Sequence, residues 1–366
     1  MKKNRIKVFL GGYVNVLNAQ NINCRALSEH LDKERFEVWT MLTWYGSAKD
    51  FKRIPDVHYL YDTPAGFLEK LHIPYWLFAW IAYAIGILRC DVAFLPKGEY
   101  VPFCHFVAKI SGCKLFTTVE GVLDEELLSR FENPSRYIDD FKRFEPHLYS
   151  ITKYIALREK DTHGLLCDSH ILYLGTETNR FLRSPRRQTT FKNVVMIGND
   201  LNRKKAAEFI RMAVSFPNLT FHIVGGNDIN GQSVNDYVNQ VKASNVTYHG
   251  LLDHSRLSAL LANMDLMFFP SRSEGFPKVM LETACAGVPT LCYSDYGADE
   301  WITTGKDGYV VNTFDEAKEV IQKLIDQPQH LQELSHNAIE LGKRFDWKVL
   351  VKDWEEEIGR IAQMKN

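Results

Sequence analysis

Short apolar runs rich in β-branched and aromatic residues alternate along the chain with longer stretches whose apolar residues recur every three or four positions. In the first half the runs predicted as strands are Ile6–Leu10, Phe36–Met41, Val92–Leu95, Lys114–Val119, Tyr154–Leu157 and Ile171–Leu174. In the second half they are Val194–Ile197, Leu219–Val224, Val246–Tyr248, Leu266–Phe269, Thr290–Tyr293 and Tyr309–Val311. Strands separated by helices imply parallel sheets covered by helices on both faces.

Helix signals are clearest in the second half. Thr313 and Glu316 form a capping box ahead of Val320, Ile321, Leu324 and Ile325, which share one face. Pro277 suits the first turn of a helix that Gly287 would end, predicting a helix from Pro277 to Ala286. Trp347, Leu350, Val351, Trp354, Ile358 and Ile361 keep helical spacing and predict a terminal amphipathic helix. The polar, arginine-bearing stretch Leu182–Thr190 is the expected linker. The expected fold class is therefore α/β, with two doubly wound, Rossmann-like domains facing across a cleft. Residues 1–181 with the C-terminal helix 347–366 form the first domain, 182–190 the linker and 191–346 the second. A ligand is expected where the strand C-termini meet that cleft.

Length and composition agree with two globular domains. The chain has 366 residues, with 45% hydrophobic and 24% charged. That excludes a disordered, collagenous or disulfide-scaffold protein. Lys and Arg number 44 against 45 Asp and Glu, a net charge of −1, so no nucleic-acid partner is expected. Seven cysteines without a C-x-x-C pair fit a reducing compartment and suggest neither a zinc site nor a disulfide framework. The apolar run near the start is too short for a signal-peptide core. Tyr75–Leu88 is the most lipophilic stretch, yet shorter than the ~20 residues a bilayer span needs. The expected location is the cytoplasm, with attachment to the inner face of a membrane as the most that this helix would add.

The most informative stretch is Phe268–Pro289, FFPSRSEGFPKVMLETACAGVP. A strand ends at Phe269, the polar loop Ser271–Gly275 follows, and a helix begins near Pro277. Such a loop-to-helix entry offers backbone N–H groups and the positive end of the helix dipole to an anion. Glu274 and Glu282 flank this entry, and helical rise puts them roughly 10–14 Å apart. A nucleotide diphosphate sugar can bridge that gap, its pyrophosphate over the helix start and its hydroxyl groups on the two carboxylates. The bland alternative makes Glu274 a solvated loop residue. Against it, Glu282 sits among Leu281, Ala284, Cys285 and Ala286, where a carboxylate needs a partner.

At these residues the chain resembles the retaining glycosyltransferases of family 4, group 1 transferases of the glycosyltransferase-B fold. Glu274 and Glu282, with seven residues between them, match that family's E-x7-E motif, followed by Ala284-Cys285-Ala286-Gly287-Val288-Pro289. Ile171–Phe181 is similar to the family's segment before the interdomain linker, and Val194–Lys205 to its glycine turn and phosphate-binding basic pair. Leu219–Gly226, Val246–Gly250, Asp265–Pro270 and Gly305–Val311 follow in family order, whereas the N-terminal half matches in outline alone.

The resemblance implies that Glu274 contacts the donor sugar and Glu282 the ribose. It implies that the Gly275, Phe276, Pro277, Lys278 stretch faces the phosphates, though Pro277 has no N–H. Lys204 stands at the position of the family's phosphate-binding lysine. Asn199 replaces the matching arginine, a departure that Arg203 would compensate. Gly11 and Gly12, expected in a loop after the first strand, correspond to a glycine loop near the donor phosphate and acceptor. Asn15, Asn18, Gln20 and Asn21 either bind hydroxyl groups or cap the following helix. Glu120-Gly121 replaces the family's His-Gly, and Glu120 would bond a sugar hydroxyl or help take the acceptor proton. The implied catalytic set is Glu274, Glu120 and Lys204. No metal and no cofactor are implied, and His163, His170, His222, His249 and His254 show no paired ligand spacing.

The implied partners are a nucleotide-sugar donor and a glycan or lipid-linked acceptor. The aromatic helix at Tyr75–Leu88 is either a packed helix of the first sheet or a membrane-interface element assisted by Arg183, Arg186 and Arg187. A nucleotide-sugar epimerase or hydrolase and a non-catalytic binding protein remain as alternatives on the same scaffold.

Overall fold

The computed structural model describes residues 5–16, 18–43, 51–61, 75–96, 101–185 and 190–364, less the side chains at 19, 75, 76 and 126. Arg186, Arg187 and the rest of 186–189 in the expected linker lie outside these residues. The chain divides into two units, one of residues 1–151, 155–174 and 347–366, the other of 152–154 and 175–346.

The first unit holds strands β1 (Ile6–Tyr13), β2 (Phe36–Leu42), β3 (Val57–Tyr61), β4 (Val92–Phe94), β5 (Lys114–Val119) and β6 (Leu148–Ser150). All pair in parallel, in the order β3-β2-β1-β4-β5-β6. Its helices are α1 (Ala19–His30), α2 (Tyr75–Arg89), α3 (Val101–Ser111), α4 (Glu125–Leu128), α5 (Pro134–Lys142) and α6 (Lys153–His163). The second unit repeats the plan. Strands β7 (Asn193–Gly198), β8 (Thr220–Gly225), β9 (Val246–Tyr248), β10 (Leu266–Phe269), β11 (Thr290–Tyr293) and β12 (Gly308–Val311) lie in the order β12-β11-β10-β7-β8-β9. Its helices are α7 (Ala206–Ser215), α8 (Val234–Gln240), α9 (His254–Leu261), α10 (Lys278–Cys285), α11 (Phe314–Asp326) and α12 (His330–Arg344). The last helix, α13 (Trp347–Gln363), belongs to the first unit.

One face of the second sheet buries Val194, Met196, Phe221, Ile223 and Phe268 against Phe209 and Ile210 of α7 and Ile321 of α11. The close contact of α10 with α12 depends on Gly342, whose added Cβ would lie 2.5 Å from Cys285 Sγ. Thr313 caps α11 by accepting the Glu316 N–H, while Glu316 reaches the Asn312 N–H, one residue earlier than a standard capping box. Trp354 of α13 is fully buried against Phe94 and Phe116, and its indole donates to the Tyr173 carbonyl.

Four expectations need correction. Tyr154–Leu157 is part of α6, not a strand. Ile155 is buried while Leu157 is exposed, and the polar residues that follow continue a helical face; the strand is the preceding Leu148–Ser150. Ile171–Leu174 keeps a single bridge, Ser150 to Ile171. Gly11 and Gly12 are not in a loop but inside β1, at a bulge between Leu10 and Tyr13. The first unit ends at Leu174 instead of 181, because the following segment is tied to the second unit. Thr176 N–H bonds the Phe345 carbonyl, Thr178 bonds Asp346, and Arg183 N–H bonds the Cys285 carbonyl. Strand β3, which carries VHYLY, was absent from the expected strands.

Candidate active site

In the second unit the strand order reverses between β7 and β10. In open parallel sheets the crevice outside the strand C-termini at such a reversal is where ligands bind. The two loops that leave these strands, 199–205 after β7 and 270–277 after β10, hold the residues singled out above.

The first loop is shaped by close backbone approach. An added Cβ at Gly198 would sit 2.1 Å from Cδ of Lys204, so the lysine chain lies directly on the glycine. Gly225 has φ +133°, and its added Cβ would fall 1.8 Å from the Gly198 carbonyl oxygen. Arg203 N–H bonds Asp200 Oδ1, and Lys205, at φ +55°, turns the chain into α7. This conformation sends Lys204 over the Phe269 ring, with Nζ 4.4 Å from the ring centre.

Glu274 is the hub of the second loop. Its Oε1 accepts from Lys204 Nζ at 2.9 Å, Arg203 Nη1 at 3.1 Å and Ser271 Oγ at 2.7 Å. The Glu274 side chain is 9% exposed and that of Lys204 11%. Burial lowers the Lys204 pKa, and the Glu274 charge works against that drop. Two cations thus converge on one carboxylate just before the start of α10, with Asp200, more than half exposed, 4.0 Å from Arg203 Nε. Pro277 stands at the N-cap of α10, not in its first turn, and supplies no side-chain cap, so the helix spans Lys278–Cys285. Phe276 is buried between Trp301 and Phe345 and anchors the loop from below. A partly buried anion site with oriented cations is suited to stabilising charge that develops on a leaving phosphate.

Glu282 lies one to two turns into α10. No described residue donates a hydrogen bond to its carboxylate. Burial raises its pKa to about 7, offset in part by the charges of Lys278 and Arg180. A partly buried acceptor without a protein donor is free to take a hydroxyl group.

The remaining expected residues divide clearly. Asn199 is exposed, its carbonyl pressed against Gly226. In the first unit Glu120 follows β5 and accepts from Thr118 Oγ1 and Asn23 Nδ2, both at 3.2 Å. Gly11 and Gly12 are buried packing positions, their α-carbons facing Tyr83 and Cys24. Asn18 caps α1 by accepting the Asn21 N–H, Asn21 Oδ1 accepts the Tyr13 N–H, and Asn15 exchanges two hydrogen bonds with Thr43. These asparagines are committed to the fold.

Two contributors had no sequence signal. Ser271 is the neutral donor to Glu274. Arg272 donates to Asp295 Oδ2 at 2.9 Å and to the Asn312 carbonyl at 3.2 Å, with its guanidinium 3.5 Å over the Tyr293 ring. It thus ties the loop after β10 to those after β11 and β12. Neither residue type stands out in a polar loop.

Two doubly wound six-strand sheets, with a basic pair and a glutamate pair at the second reversal point, define the glycosyltransferase-B architecture. Residues 178–341, the segment carrying Lys204, Glu274 and Glu282, match the family described as glycosyl transferases group 1. The chain is 28% identical over 133 residues to an uncharacterized 41.2 kDa protein of the cps region of Klebsiella pneumoniae, covering 36% of this chain and 35% of that protein. It is 26% identical over 215 residues to alpha-galactosylglucosyldiacylglycerol synthase of Streptococcus pneumoniae, covering 57% of this chain and 52% of the synthase. The chain thus aligns with about a third to a half of the length of these curated relatives. Among solved structures it is similar to HepE of Anabaena, crystallised with UDP and glucose, with TM-score 0.73, 18% identity and coverage of 97% of this chain and all of that one.

Proposed function

We propose that this protein is a retaining glycosyltransferase. It moves a sugar from a nucleotide diphosphate sugar to a glycan or lipid-linked acceptor, in the synthesis of a cell-surface polysaccharide or glycolipid. The observation that carries this reading is the Lys204–Arg203–Glu274 cluster at the strand-order reversal, with the Glu282 carboxylate further along α10 taking no hydrogen bond from a described residue. The diphosphate lies against Lys204, Arg203 and the start of α10, the ribose at Glu282 and the sugar at Glu274. Negative charge grows on the leaving diphosphate as the glycosidic bond breaks, and the buried cations stabilise it. Departure and attack occur on the same face, and the leaving phosphate assists deprotonation of the acceptor. Glu274 orients the sugar and is not a nucleophile. Glu120, on the acceptor side, bonds an acceptor or sugar hydroxyl.

The relatives' names agree with this chemistry. One makes a glycolipid and one lies in a cps region. The protein works at the inner face of a membrane. No helix among the described residues is long and apolar enough to cross a bilayer. Yet α2 and α3 expose Leu77, Ile81, Leu88, Phe106 and Ile110, each at least 40% accessible. An apolar face of this extent, made by two adjoining helices, fits a lipid interface.

A panel of nucleotide diphosphate sugars, scored for nucleotide release with and without acceptors, tests the proposal. Acceptor-dependent release supports it. Release or epimerisation without acceptor assigns a hydrolase or epimerase, and binding without turnover a binding protein.

A further inference from the structure

A cavity of about 500 Å³ opens in the first unit, away from Glu120. It lies where β5 and β6 begin, whereas Glu120 follows the other end of β5. Its walls carry three cations, Lys109, Lys114 and Arg143, the last with its Nε 3.4 Å from Asp140 Oδ1, and two imidazoles, His105 and His147. The carboxylate that also lines it, Glu145, is already engaged by the Leu166 N–H at 2.8 Å. His105 Nε2 and His147 Nδ1 are shut off from solvent and have no hydrogen-bond partner among the described residues. Burial lowers the pKa of both rings, and the neighbouring cations, Arg143 for His105 and Arg360 with Lys114 for His147, lower it further. Three cations against Glu145 and the Asp140 partner of Arg143 leave the recess positively charged.

Its position supplies the second half of the argument. His105 and Lys109 are four residues apart on α3 and line the cavity together. Phe106 and Ile110, the next residue after each, are 64% and 66% exposed on the adjoining side of the same helix. Cationic recess and apolar ridge are thus side by side, the arrangement that matches a headgroup and an acyl chain of one molecule.

We propose that this cavity binds the phosphate of an anionic lipid headgroup, with Lys109 and Arg143 at its mouth and Phe106 and Ile110 entering the acyl layer. The inference rests on the membrane reading above and gives it a specific seat, distinct from the transfer site.

Co-sedimentation of the full chain with vesicles tests it, comparing phosphatidylcholine alone with phosphatidylcholine containing phosphatidylglycerol. Lys109 and Arg143 are exposed, so Lys109→Gln with Arg143→Gln should fold, which circular dichroism checks. The expected result is binding to the phosphatidylglycerol vesicles that this double variant weakens about thirtyfold. The remote pair Lys318→Gln with Lys343→Gln should leave binding unchanged. In a parallel arm, glycerol phosphate is titrated onto the vesicle-free chain while the ring signals of His105 and His147 are followed. Vesicle binding that both double variants retain, or lose equally, overturns the cavity assignment and leaves the membrane reading standing. Saturable glycerol phosphate binding without vesicle binding overturns the lipid source. No binding in either arm overturns both, while nucleotide release still reports separately on the transfer reaction.

Discussion

Lys204 Nζ lies 2.9 Å from Glu274 Oε1, the oxygen that Arg203 and Ser271 also approach. Without a donor, the carboxylate holds the cations that a diphosphate would need. Glu274 and the phosphate therefore compete for Lys204 and Arg203. Replacing Glu274 by isosteric Gln removes the competitor but also the group we propose to orient the sugar. Glu274→Gln should bind nucleoside diphosphate at least as tightly as the native chain, while turnover falls about a hundredfold. Calorimetry with the diphosphate and initial rates with the full donor separate the two effects. Weaker diphosphate binding in this variant would refute the competition.

Lys204→Met keeps much of the apolar stem that rests on Gly198 and Phe269 but removes the charge. Loss of a hydrogen bond between charged groups is worth ~1.5–3 kcal/mol, so diphosphate affinity should fall about ten- to a hundredfold. Isothermal titration reads this directly. An unchanged affinity would move the phosphate elsewhere.

Glu282 gives a prediction with opposite signs for stability and function. Its folded pKa, about 7, is above the ordinary 4.5. The folded state therefore favours the protonated form. That contribution is fully present below pH 4.5 and is lost as pH rises through about 7. Glu282→Gln should match the native chain in acid and exceed it above pH 7 by up to ~3 kcal/mol. The same substitution should weaken nucleotide binding, because the neutral amide is a poorer partner for ribose hydroxyls. Urea unfolding at several pH values, alongside nucleotide titration, checks both halves.

Gly225 admits no side chain. Its φ of +133° is a region that other residues avoid, and a Cβ would strike the Gly198 carbonyl. The backbone strain alone costs ~1–3 kcal/mol. Gly225→Ala should lower stability and displace the 199–205 loop, so that diphosphate binding weakens even in the fraction that folds. Native affinity in a folded Gly225→Ala protein would show that the loop does not set the phosphate site.

Trp354→Ala should destabilise the first unit by ~3–5 kcal/mol through cavity formation. The buried indole packs on Phe94 and Phe116 and donates to Tyr173, all in that unit. Diphosphate binding, which we propose for the second unit, should persist at temperatures where the first has unfolded. Differential scanning calorimetry with and without diphosphate tests this separation.

The second unit was largely readable in advance because its strands are apolar runs bounded by Gly, Asp and Pro, so β9, β10 and β11 fall where the pattern puts them. The glutamate pair was readable because a charged residue among Leu281, Ala284 and Cys285 conflicts with its surroundings. The convergence of Arg203 and Lys204 on one oxygen was not, since it depends on a left-handed turn at Lys205. In the first unit, β3 and α6 were missed or misassigned. The VHYLY run is half-exposed at a sheet edge, and the apolar YIAL run looks alike as strand or helix. Gly11 and Gly12 look like a ligand loop in sequence. Only the bulge in β1 and the bulk of Tyr83 and Cys24 reveal that they make room for packing.

The last helix of the chain completes the first sheet's core. During synthesis, residues 175–346 can emerge and close around their own centre while Phe94 and Phe116 still wait for Trp354. The part made first is thus finished last. A ribosome stalled before Trp354 would leave residues 175–346 folded and the first unit unfinished, which makes chaperone demand fall on the older half of the nascent polypeptide.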